Sequence, residues 1–141
     1  PMNTINKKGQ IMNQELLTTI ISKLKEKSSF TVEQEADCLA ISNDEGLDAF
    51  LYVGDTQITV SSVLFPVSDV ADTAKLNDEI LRTHQFVPLS TISINVIEGV
   101  EYYVAFGALS VDSKTDVIVE EVDTLLSNVP ELVEAYLPFL K

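Results

Sequence analysis

Two side chains in this sequence, Cys38 and His84, have the chemistry of a nucleophile and a general base. A histidine can activate a thiol or a serine hydroxyl from a distant part of the chain, because such partners meet in space and not in sequence. Each residue also has a simpler reading. Cys38 lies in the apolar run CLAIS, where a free cysteine behaves as a small buried hydrophobe. His84 falls at the end of a helical stretch, where the helix dipole favours a cation. A lone cysteine excludes an intramolecular disulfide and a thiolate cluster for zinc or iron–sulfur chemistry. Carboxylates are more plentiful. Asp44, Glu45 and Asp48 in the loop SNDEGLDAF, and Glu120, Glu121 and Asp123 further on, could hold a hard cation or act as a pair in glycoside hydrolysis. The loop lacks the alternating ligands and distal glutamate of an EF-hand, however, and the second group is spaced as a solvated helix face. There is no glycine-rich phosphate loop, HExxH, CxxC or Gly-x-Ser-x-Gly. The sequence therefore assigns no catalytic, cofactor-binding or metal-ligating residue, and no cofactor is expected.

Charge narrows the choice of partner. The net charge is −13, and residues 1–28 hold five of the nine basic groups against only Glu15 and Glu26, so that stretch is +3 and the remainder −16. Such a surface repels phosphates and acidic headgroups and attracts basic partners, which argues against nucleic acid. The 141 residues are 45% hydrophobic, with no apolar run near the roughly 18 residues that cross a bilayer, so a soluble single domain without direct membrane insertion is expected. The lysine-bearing start PMNTINKKGQ lacks the apolar core of a secretory signal. Residues 1–11 read as a flexible tail before a domain of residues 12–141, and the compartment as cytoplasmic.

The elements that must position these residues follow from periodicity. Residues 13–27 place Leu16, Leu17, Ile20, Ile21 and Leu24 on one stripe, with Asn13 as N-cap and Met12 as a staple on Leu17. One strand is expected within residues 30–42, another over 47–53 and a third over 56–65, separated by the turn formers NDEG and GD. In the third, Ile58, Val60, Ser62 and Leu64 face one way, so one side of the sheet is covered. A second helix opens at Ser68-Asp69 and runs to about His84, with an apolar stripe of Val70, Ala74, Ile80 and Leu81. The runs TISINVI and VEYYVAFGALS, joined by Glu98-Gly99, read as a hairpin in which Val100, Tyr102, Val104, Phe106 and Ala108 share a face. A last helix capped by Ser113 or Thr115 buries Ile118, Val122, Leu125, Leu126 and Val129 and exposes Asp116, Glu120, Glu121 and Asp123. Pro130 should kink or restart it, and the apolar tail after Pro130 should dock on the body or on another subunit. The fold class is α+β, ordered α-β-β-β-α-β-β-α, with a five-stranded antiparallel sheet. A half-polar sheet and an apolar tail leave more surface than three helices cover, which predicts a two-fold homodimer.

This element order, with the acidity, resembles the type III secretion chaperone fold, a class of small acidic dimers. The segments LRTHQFVPLS at 81–90 and EYYVAFGALSVDS at 101–113 resemble the bacterial YjfI-like family of uncharacterised proteins, over most of the chain after Met12. That family has no assigned activity, so the resemblance carries over no site residue. It implies a cytoplasmic bacterial protein encoded near membrane-stress proteins, with a phage-shock-type coiled-coil stress protein as a candidate partner. Two functions follow: a non-enzymatic protein-binding or chaperone-like module, or a small hydrolase or ligand-binding enzyme in which His84 meets a carboxylate or nucleophile in a deep pocket.

Overall fold

The computed structural model describes residues 2–27, 29–36 and 38–141, with side chains from residue 14 onward. Three helices, α1 (Met2–Lys25), α2 (Thr73–Thr83) and α3 (Thr115–Tyr136), accompany six strands. These are β1 (Thr31–Glu35), β2 (Cys38–Ser42), β3 (Asp48–Val53), β4 (Gln57–Pro66), β5 (Thr91–Ile97) and β6 (Val100–Ser110). They form one sheet in the order β1-β2-β3-β4-β6-β5, antiparallel at every pairing. The five-stranded expectation is corrected to six, because residues 30–42 hold two strands. Glu35 pairs with Cys38, so only positions 36 and 37 separate β1 from β2, and Ala36 turns at φ 49. Alanine in the left-handed region carries no turn signal, which is why the run reads as continuous.

Other boundaries moved for similar reasons. α1 has helical backbone from Met2, through the segment read as a tail, so Asn13 lies inside the helix and not at its cap. The expected contact of Met12 with Leu17 rests on a side chain outside the described residues. α2 begins later than Ser68-Asp69: a short 3-10 turn spans Val67–Asp69, and Asp72 is the true N-cap, its carboxylate accepting from the Lys75 amide at 3.3 Å. Its buried residues are Leu76 and Ile80, whereas Ala74 and Leu81 are exposed. The N-cap of α3 is Lys114 without a side-chain bond, in place of Ser113 or Thr115. α3 neither stops nor restarts at Pro130.

The core lies between one sheet face and the helices. Leu39, Ile41, Leu51, Ile58, Val60, Tyr103 and Ala105 point inward and cluster with Ile20, Leu24, Ile118, Val122 and Leu125. Inward alternation on β4 runs Ile58, Val60, Ser62 and is then reset by a bulge between Val63 and Phe65, which turns Phe65 inward where Leu64 was expected. Phe65 meets Tyr103 at a tilt, 5.4 Å between ring centroids, and Tyr136 edge-on at 6.5 Å. The tail docks on the body: the Ala71 amide donates to the Phe139 carbonyl at 2.9 Å and the Lys141 amide to the Asp69 carbonyl at 2.8 Å.

Candidate interaction surface

Cys38 and His84 are not brought together. Cys38 is buried on β2, directly opposite Tyr52 of β3. His84 follows α2 and lies beside β5, where its Nε2 accepts the Ile92 amide at 3.0 Å. Four strand spacings separate β2 from β5, roughly 19 Å at about 4.8 Å each. His84 thus stands at the C-cap of α2 with its ring nitrogen serving as acceptor for a strand amide. Burial raises the Tyr52 hydroxyl above its ordinary range, and a hydrogen bond with Cys38 adds to this, as does the charge of Glu35. Among the described residues no group of three His, Cys, Asp or Glu side chains is placed to hold a metal. Asp48 accepts from the Ser42 hydroxyl at 2.7 Å, while Asp44 and Glu45 stand exposed on the turn that Asn43 holds closed by accepting the Leu47 amide at 2.9 Å.

The acidic helix face is also rearranged. Glu121 is buried, correcting its place on the solvated side. Its spacing from Ile118 and Leu125 puts it on the core stripe, a signal that the charge of the residue masked. Gly107 of β6 makes the space: a Cβ there would collide with the Glu121 carboxylate. Loss of hydration raises this carboxyl above the ordinary range, and the neighbouring Glu120 charge adds to the shift. Asp116 faces Lys23 of α1 at 3.5 Å, and Asp123 faces Lys27, just past the end of that helix, at 3.3 Å. Only Glu120 of the expected quartet is exposed without an ion pair among the described residues.

The second buried polar residue of α3, Asn128, donates its amide to the Pro88 carbonyl at 2.7 Å and the Ser90 hydroxyl at 2.9 Å. It fixes the loop between α2 and β5, in which Leu89 takes φ 61. Asn128, like Glu121, sits on the helix stripe and was missed as a polar residue.

Two apolar surfaces remain open. The face of the sheet away from the core carries Phe50, Tyr52, Val63, Tyr102 and Phe106, none of them in the core cluster. Phe50, Ser61, Phe106 and Thr91 form one cross-strand row, so this surface runs from β3 to β5. Tyr52 and Val63 are 47% and 40% exposed there. This is the face that Val104, Phe106 and Ala108 share; the expected alternation is present, but its partner is not a helix. The second surface is the β5 edge. Of the eleven large exposed hydrophobics among the described residues, seven fall within residues 81–100, including Leu81, Ile94 and Val96. A shallow apolar cleft of about 310 Å³ between α2 and β5 is lined by Ile80, Leu81, Ile92, Ile94 and Tyr103, the last donating to Asn77 Oδ1 at 2.6 Å.

Known proteins share this arrangement. A chain of the HopA1–SchA chaperone–effector complex superposes with a TM-score of 0.62 at 12% identity, covering 84% of this chain and 94% of that one. Escherichia coli YbjN gives 0.63 at 17% identity, over 88% and 93%. A chain of the ExsC–ExsE complex gives 0.56 at 10%, over 94% and 95%. At these identities the likeness is one of fold, and it agrees with the chaperone-like fold implied by element order. In sequence, the chain is 29% identical over 119 residues to the uncharacterised protein YjfI of Escherichia coli (strain K12), covering 84% of this chain and 90% of the relative. Residues 10–140 match the family of uncharacterised proteins conserved in bacteria known as DUF2170, and the chain belongs to that family.

Proposed function

We propose that this domain is a non-enzymatic, dimeric protein-binding module whose helix-free sheet face receives an apolar segment of a protein partner. The observation that carries this reading is the set of Phe50, Tyr52, Val63, Tyr102 and Phe106 on a sheet face that no described helix covers. A face of this kind marks an interaction site in a soluble domain. The fold shared with a chain of the HopA1–SchA chaperone–effector complex supports it. The charge of −16 beyond residue 28 favours a partner with basic flanks and raises the rate of encounter more than the affinity. Asp116 and Asp123, already paired with lysines, contribute little to that steering. A phage-shock-type coiled-coil protein of the bacterial cytoplasm is the candidate partner.

Photo-crosslinking in the native bacterium tests the reading. A crosslinker at position 52, on the open face, should give a discrete heavier adduct, and one at position 45, on the β2–β3 turn, should not. Equal adducts from both positions, or none from position 52, would remove the open face from the function. The enzymatic alternative requires His84 beside a nucleophile; the structure holds its Nε2 on a backbone amide and keeps Cys38 four strands away.

A further inference from the structure

The self-association in the preceding reading leaves its interface unassigned. β5 is an edge strand, and its backbone phase can be read from the hairpin it forms with β6. Ile97 and Val100 close a two-residue turn at Glu98-Gly99, with φ 51 and 81, which makes them a hydrogen-bonded pair. Residues 91, 93, 95 and 97 therefore bond to β6, and the amides and carbonyls of Ile92, Ile94 and Val96 point outward. The Ile92 amide bears this out, since it donates to His84 outside the sheet. His84 thus occupies the position alongside Ile92 where an added strand would run. Beyond Ile92, the two donors and two acceptors of Ile94 and Val96 stay open.

We propose that this short open edge pairs with the same strand of a second copy, antiparallel and centred on Asn95. In that register Ile94 faces Val96 of the partner and Val96 faces its Ile94, so both amides and both carbonyls of each copy are satisfied by four bonds. A register centred on Ile94 would run the middle of the partner strand into His84. Centred on Asn95, the residue facing Ile92 is the start of the partner's turn, where the chain curls back toward its own β6. His84 therefore ends the edge and sets the register. The side chains agree: Ile94 and Val96, 41% and 68% exposed, pair on the helix side of the joined sheets, next to Leu81 at 77%. Charge selects a second copy. Two chains of −13 repel wherever their acids meet, and β5 is a seven-residue strand without an ionisable side chain. Association through it should strengthen as salt screens the remainder of the surface.

The test combines light scattering with crosslinking in a Cys38→Ser background. Asn95 would face its own counterpart in a non-hydrogen-bonded pair with Cα atoms about 4.5 Å apart, within disulfide range. Asn95→Cys should then form a covalent dimer on mild oxidation, and Val96→Cys should do so far more slowly. Val96→Pro removes an outward donor while leaving every β5–β6 bond, so it should give a monomer with an unchanged far-ultraviolet spectrum. A wild-type monomer at tens of micromolar overturns both the dimer and this interface. A wild-type dimer that survives Val96→Pro, or that crosslinks through position 96 and not 95, overturns the interface or its register while leaving the dimer standing. If Val96→Pro fails to fold, the crosslinking comparison decides alone.

Discussion

The two edges of the sheet solve the same problem in opposite ways. β1, with sequence TVEQE, keeps its unpaired side in water with Glu33 and Glu35, and α1 leans on it, Gln34 donating to Gln14 Oε1 at 3.2 Å. β5, with sequence TISINVI, has no charge, and its residues 94–97 are exposed. Charged, short edge strands resist adding another strand, and uncharged apolar ones invite it. A chain with 22 acidic residues that places none on one edge strand has kept that edge neutral. The lesson is that the β1 side is finished by the chain itself, whereas the β5 side is trimmed by His84 and Asn128 and left open.

This contrast can be broken by substitution. Leu39, fully buried beside β1, should cost about 2–5 kcal/mol when cut to alanine, and Val96→Ala should stay within about 0.5 kcal/mol; urea denaturation of the monomer compares them. Equal losses would mean that β5 is as much part of the core as β2. On the β5 side the larger effect belongs to Asn128→Ala, which strands the buried Ser90 hydroxyl and the Pro88 carbonyl at a cost of about 1–3 kcal/mol. Amide exchange should then quicken first in residues 88–92. A uniform increase across the sheet would show that Asn128 supports the whole fold and not this edge.

Glu121 sharpens the comparison through pH. Its folded-state affinity for a proton is raised, so the folded state binds that proton more tightly than the unfolded one. The contribution is fully present below the ordinary carboxylate range and is lost as pH rises through the folded value. Glu121→Gln should therefore stabilise the protein at pH 7, and the gain should shrink to nothing as the pH falls toward the ordinary carboxylate range. Melting curves across that interval check this, and a gain that does not vary with pH would assign the effect to packing. The smallest change is expected on the β1 side, where Lys27→Ala removes the exposed pair with Asp123 and should cost less than about 1 kcal/mol, falling further in salt.

Much of the fold was legible because its long-range pattern is carried by apolar period. The helix stripes at Leu17, Ile20 and Leu24 and at Ile118, Val122 and Leu125, and Ile58 and Val60 of β4, reappear as buried residues, whereas the residues that alternate onto one face of β6 lie on the open side of the sheet. What was hidden depended on single residues acting against type. Ala36 takes a turn conformation that glycine usually supplies, Phe65 is buried only because a bulge precedes it, and Glu121 and Asn128 are polar groups on a core stripe. The roles of Cys38 and His84 were readable only as far as the absence of a motif. That His84 accepts a strand amide eight residues on depends on the path of a loop, which no local pattern encodes.

Gly107 also bears on how this family can vary. With a Cβ there set to strike the Glu121 carboxylate, positions 107 and 121 form one unit split between a strand and a helix. Drift should therefore couple them: where a relative carries alanine or a larger residue at the first position, the second should have shrunk to a short side chain. Paired variation of that kind would show that the contact constrains the whole family, and independent variation would mark it as particular to this chain.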